Sequence, residues 1–153
     1  MTTLFRMSRG GFLLAILLFA TQCKDGDVVQ EPSLYERLGG ITAISAVVDQ
    51  FLANVVADDA INARFAATVA DPARTQLLRN NLIDQVCAGA GGPCQYKGKT
   101  MKEAHKGMNI TTDEFNALVA DLVAALDKFN VPAKEKDELL GILGPMQPDI
   151  VGQ

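Results

Sequence analysis

The sequence predicts an all-α domain, and three observations carry that prediction. Apolar residues recur at helical spacing along several segments, helix-capping residues stand where those segments begin, and strand signals are absent. The composition agrees: 48% of residues are hydrophobic, with Ala, Leu and Val prominent, and only 6% are aromatic. A chain of 153 residues has the length for one domain with a substantial core.

The elements follow in chain order. Residues 1–22 read as a signal peptide, because Arg6 and Arg9 give a positive start and Phe12 to Ala20 is an apolar run. That run is well short of the ~20 residues needed to cross a bilayer, so it should direct export. Ala20-Thr21-Gln22-Cys23 resembles a bacterial lipoprotein box, with Gln22 where a small residue is usual and Ala20 where Leu is usual. Cys23 would then carry lipid and anchor the protein at a membrane of the cell envelope; plain secretion is the alternative. Residues 23–33 are polar, contain Gly and Pro and lack periodicity, which makes them a tether. Residues 34–153 remain as the folded domain.

Within that domain, Ile41 to Asp58 places Ile44, Val47, Val48, Phe51, Leu52, Val55 and Val56 on one wide stripe expected to be buried. Asp71-Pro72 opens the next helix, since Asp is a strong N-cap and Pro is tolerated in a first turn. Leu77, Leu78, Leu82, Ile83 and Val86 form its apolar face, and it should end near Cys87, ahead of Gly89 and the pair Gly91-Gly92. Lys99 to Lys106 is short and poor in apolar residues. That is odd for a structural helix and sensible for one whose packing a bound cofactor completes. Thr111-Thr112-Asp113-Glu114 is a capping box opening Phe115 to Phe129, with Phe115, Leu118, Val119, Leu122, Val123 and Leu126 as its stripe. Pro132 starts a last helix through Leu143, which Gly144-Pro145 stops.

Charge and ligand inventory then narrow the chemistry. A net charge of −4 offers no phosphate-binding surface, and no basic cluster with interleaved aromatics occurs, so nucleic acid is not an expected partner. The chain has one histidine, His105, and three cysteines without a C-x-x-C pair, which does not supply the convergent ligands of a zinc site. One imidazole in an otherwise apolar pocket is what haem asks for, because the macrocycle supplies four ligands and the protein a fifth. No C-x-x-C-H occurs, so the haem would be non-covalent, that is, haem b.

The wider pattern carries a family resemblance. Leu34-Tyr35-Glu36-Arg37-Leu38 runs into Gly39-Gly40, Phe65 lies in the following corner, Gly91-Gly92-Pro93 and Tyr96 come next, and then His105-Lys106-Gly107-Met108-Asn109-Ile110-Thr111. In order and spacing, from about Leu34 to about Pro148, this resembles the truncated haemoglobins of group I. The resemblance implies a two-on-two helical sandwich. It implies that His105 binds iron through Nε2 while Nδ1 donates to a backbone carbonyl, that Met101 and Ile110 lie against the haem on the same side, and that Phe65 stacks on it. Tyr96 and Lys99 would reach the propionates. The distal side would be lined by Phe51, Leu52, Leu78, Leu82 and Val86.

That distal side departs from the family, whose members often carry a tyrosine where Leu52 stands and a glutamine or other donor on the facing helix. A bound oxygen ligand gathers negative charge, so a hydrogen bond slows its loss far more than that of carbon monoxide. Apolar residues therefore predict weak discrimination and fast oxygen release. A different register would bring Asn81 or Gln85 to the iron, but both amides are expected to face solvent. Export would also place Cys87 and Cys94 in an oxidising compartment, where the two are expected to form a disulfide across the glycine turn.

The functional expectation is a b-type haem protein that reversibly binds oxygen, carbon monoxide and nitric oxide, with no catalysis required. One alternative is a haem-dependent nitric oxide dioxygenase or peroxidase-like enzyme, which would need a distal donor and a reductase partner. Another is a haem-free helical lipoprotein acting as an interaction module.

Overall fold

A computed structural model describes residues 30–153. The expected signal peptide and lipoprotein box lie outside the described residues, as does most of the expected tether. Among the described residues the chain folds into α1 (Leu34–Arg37), α2 (Gly40–Ala57), α3 (Asn62–Val69), α4 (Pro72–Gly89), α5 (Met101–His105), α6 (Thr112–Lys128) and α7 (Ala133–Leu143), followed by a 3-10 helix, Gly144–Asp149. No strand forms among them; an isolated parallel bridge joins Ile110 to Val151.

α2 is the hub. Its buried face, Ile44, Val47, Val48, Phe51 and Val55, packs on both α4 and α6. The larger core cluster joins Phe51 and Val55 to Leu34, Ile61, Ala90, Ala125, Leu126 and Leu139; a second joins Ile44 and Val48 to Ile83 and Cys87. Fully burying one such aliphatic side chain contributes about 1.5–3 kcal/mol, so α2 ties together most of the domain's hydrophobic stabilisation. The expected stripe is narrower than drawn. Val56 is 48% exposed, and Leu77, expected on the apolar face of α4, is 61% exposed.

The caps are those the sequence encodes. The Asp71 carboxylate accepts from the backbone N–H of Ala73 at 2.9 Å, and Thr111 and Glu114 close their box at the start of α6. Two further boxes of the same pattern, Ser33 with Glu36 and Thr100 with Glu103, start α1 and α5. α3 was expected only as a corner. It has no side-chain cap and buries no residue, so neither a start signal nor an apolar stripe marks it.

Cys87 and Cys94 are bridged, and Cys87 is fully buried at the end of α4. Gly92 is required beside them: a Cβ there would lie 2.7 Å from Cys87 Sγ and 2.5 Å from the Tyr35 ring. The bridge therefore pins the loop that leads from α4 towards α5. At the other end of the domain, Gly152 N–H donates to the Ile110 carbonyl at 2.9 Å, holding the C-terminal segment against the loop after α5.

Candidate functional site

The apolar stripes of α4 and α6 are only half-buried where they face each other, and a cleft lies between them. It comprises two adjoining cavities of about 790 Å³ and 390 Å³, within the usual range for small-molecule sites. Phe65, Leu78, Leu82, Gln85, His105, Phe115, Leu118 and Ile150 line both. The inner cavity adds Phe51, Leu52, Val86 and Met101, while the outer adds Ile110 and, at its mouth, Arg64, Arg74, Lys97 and Lys99. Every residue singled out in the sequence as cofactor-binding thus lies on the wall of one cleft.

His105 ends α5, a helix of five residues with none buried. Its Nδ1 lies 2.8 Å from the Met101 carbonyl. A carbonyl can only accept, so Nδ1 carries the proton and Nε2 keeps its lone pair free for a ligand. Gly107, at φ +80°, turns the chain sharply after the histidine; an L side chain there would be strained. Among the described residues no three His, Cys, Asp or Glu side chains come together as a multi-ligand metal site. The arrangement offers one imidazole nitrogen at an apolar slot with a cationic mouth.

Arg64 fastens that slot. Its guanidinium donates to both carboxylate oxygens of Glu114, at 2.7 and 3.0 Å, and to the Met108 carbonyl at 2.9 Å. α3, the loop after His105 and the start of α6 are thereby joined beside Phe65. The Arg64 guanidinium and then the Thr111 N–H hold the Glu114 carboxyl down at about 2.

One expectation needs correction. Gln85 does not face solvent. It lies in the wall of both cavities, and its amide Nε2 donates to Met146 Sδ at 3.2 Å and Met101 Sδ at 3.6 Å. Helical spacing assigned the face by its leucines, and the cleft is wide enough to take in the neighbouring position. Asn81 lines only the outer cavity. Tyr96, expected near the propionates, lies in the wall of the outer cavity beside Lys97 and Lys99; its hydroxyl donates to the Lys99 carbonyl at 2.7 Å, and burial raises its pKa. It also shapes the loop, folding over Gly98, where a Cβ would lie 2.4 Å from the Tyr96 hydroxyl and 2.5 Å from its ring.

Sequence reading missed the part of the wall built by Met146, Gln147 and Ile150. Their signal was weak, an apolar residue every few positions in a proline-rich stretch. Phe115, Leu118 and Leu122 were assigned to core packing and prove to line the inner cavity.

Comparison with known proteins identifies the family. The bacterial-like globin family matches residues 33–151. A group 1 truncated haemoglobin of Tetrahymena pyriformis is 34% identical over 121 residues, covering 79% of this chain and 96% of the relative. One from Mycolicibacterium paratuberculosis is 33% identical over 118 residues, 77% and 83% of the two chains. Among solved structures, the T. pyriformis truncated haemoglobin in its Fe(III) form superposes with a TM-score of 0.72 at 31% identity, covering 80% of this chain and all of that one. The 2/2 haemoglobin of Synechococcus sp. PCC 7002, with covalently attached haem, superposes at 0.71 with 29% identity over 78% and 98% of the two chains. The fold is therefore the two-on-two helical sandwich of the truncated haemoglobins. The chain belongs to the bacterial-like globin family, and with it to the proteins that bind haem and diatomic gases.

Proposed function

We propose that this protein holds haem b non-covalently in the cleft, with His105 Nε2 as the proximal ligand, and reversibly binds oxygen, carbon monoxide and nitric oxide on the opposite side. The observation that carries the reading is the His105 ring, whose Nδ1 is turned to the Met101 carbonyl and whose Nε2 is left free at the cleft. The residues fit the group. An apolar slot takes the macrocycle, Phe65 supplies an aromatic face, and Lys99 with Lys97 stands at the mouth where carboxylates would emerge. Haem, when bound, supplies a redox-active iron with an open position for a gas.

The chain's own residues set what that position experiences. The Met101 carbonyl fixes the imidazole's tautomer and raises its basicity. Phe51, Leu52, Leu78, Leu82 and Val86 exclude water and give no hydrogen bond, which favours fast oxygen release. That apolar lining gives little support to a nitric oxide dioxygenase or peroxidase role, which would also call for a reductase partner. Haem binding, which comes with the family, favours this reading over that of a haem-free interaction module. Replacing His105 by Leu should abolish stable haem retention, seen as loss of the Soret band after gel filtration. Full haem occupancy with an unchanged ferrous spectrum would refute the assignment.

The same reading places residues 1–22 as a signal peptide, residues 23–33 as a tether and residues 34–153 as the globin domain, exported and anchored by lipid at Cys23. The Cys87–Cys94 bridge supports export, since disulfides persist in oxidising compartments. Cys23→Ser should release the protein from the membrane fraction with its haem spectrum intact; equal retention would point to an uncleaved leader.

A further inference from the structure

We propose that Gln85 is a positioning residue for the iron-binding imidazole, acting across the cleft through Met101; this rests on His105 being the proximal ligand. α5 is weakly held by its own packing, with no buried residue and a capping box that is exposed to solvent. Yet Met101 at its start provides the carbonyl that receives His105 Nδ1. The Met101 side chain is the part of that residue other elements can grip. Gln85 on α4 grips it: the amide Nε2 reaches Met101 Sδ at 3.6 Å and Met146 Sδ of the 3-10 helix at 3.2 Å. One amide group therefore links three elements at the base of the cleft.

The choice of residue needs such a role. Leu78, Leu82 and Val86 on the same wall are apolar, and a leucine at 85 would continue them at no desolvation cost. The amide there is part-buried, and its N–H groups meet only thioether acceptors, which are weak. A polar side chain held in that setting contributes direction rather than stability. It fixes where Met101 sits, and so the length and angle of the His105 Nδ1 contact that tunes the imidazole as a ligand. The two thioethers suit this task, being long and adaptable enough to meet one donor from two elements.

The test uses the full-length haem-loaded protein and reads the iron–histidine stretching band of the ferrous, gas-free form by resonance Raman spectroscopy. Gln85→Leu conserves volume and removes the donor; Met101→Leu keeps the backbone carbonyl and removes the sulfur. Each should move the band to lower frequency and broaden it, and the double variant should go no further than either single, because both break one contact. Haem transfer to apomyoglobin should quicken about tenfold, the lower end of what losing an outer-shell partner costs. An unmoved band in Gln85→Leu would overturn the proposal. So would a shift confined to the carbon monoxide stretching modes, which would make Gln85 a donor to the gas. Absence of the band from the wild type would instead overturn the His105 assignment itself.

Discussion

The two ends of α6 are built from the same kind of residue and do different things. Towards its C-terminal end Ala125 and Leu126 are 0% and 1% exposed, packed with Val55 and Leu139. Towards its N-terminal end Phe115, Leu118 and Leu122 sit on one continuing apolar stripe but are only half-buried, because they face the cleft. α4 repeats the contrast, with Ile83 and Cys87 buried on one side and Leu78, Leu82 and Val86 bordering the cavity on the other. One end is core completed by protein. The other is apolar wall facing a cleft, and an amphipathic stripe looks the same in both cases.

Substitutions at the two kinds of position should behave differently. Leu126→Ala should destabilise the protein by about 2–5 kcal/mol, as expected for a large-to-small change at a closed site. The loss should be similar with or without haem. Leu118→Ala should cost much less in the apoprotein, where its neighbours are already partly exposed, and should weaken the haem-loaded form more than the apo form. Denaturant melts of both variants in both forms would check this, and equal costs at the two sites would erase the distinction.

Leu52→Tyr sharpens the comparison inside the cleft. A hydroxyl on that wall would reach a bound oxygen ligand, and one hydrogen bond to a charged acceptor is worth about 1.5–3 kcal/mol, or about ten- to a hundredfold in dissociation rate. Carbon monoxide release should change far less. Stopped-flow rates for both gases decide it, and slow oxygen release already present in the wild type would show that Gln85, Asn81 or a water molecule donates.

The smallest effect concerns the clamp beside Phe65. The carboxyl of Glu114 is held at about 2 in the folded protein against an ordinary 4.5, so its contribution is fully present above the unfolded value. It fades as the pH falls from about 4.5 towards 2. Both partners are partly exposed, Arg64 by 36% and Glu114 by 20%, so solvent screening should keep the effect slight and added salt should weaken it further. Glu114→Gln should flatten this part of the acid unfolding curve, and an unchanged curve would mean that the ion pair contributes nothing.

How much of this was legible depended on whether a feature is local. The start of α6 was readable because Thr111 and Glu114 satisfy orphan N–H groups within one turn, and so was the start of α4 from Asp71-Pro72. The boxes Ser33–Glu36 and Thr100–Glu103 carried the same signal and were passed over. α3 left no trace, because it neither caps itself nor buries a side chain. The cleft residues were legible mainly through the order of glycine pairs, Phe65 and the histidine motif. Periodicity alone assigned Phe115 and Leu118 to the core, and it misplaced Gln85, because a hydropathy pattern does not tell protein neighbours from an absent ligand. The Arg64 clamp joins residues fifty positions apart, and no local rule points to it.

The half-buried walls and the free Nε2 of His105 are together proposed to make a haem site. The most direct measurement is the absorption spectrum of the full-length protein reconstituted with haem, taken oxidised, reduced and reduced under carbon monoxide. A haem site with His105 as ligand should give a Soret band in each form, a ferrous spectrum with histidine as the protein ligand, and a sharp shift on adding carbon monoxide that reverses when the gas is removed. A protein that emerges colourless from reconstitution, or whose ferrous spectrum is the same in His105→Leu, would contradict it.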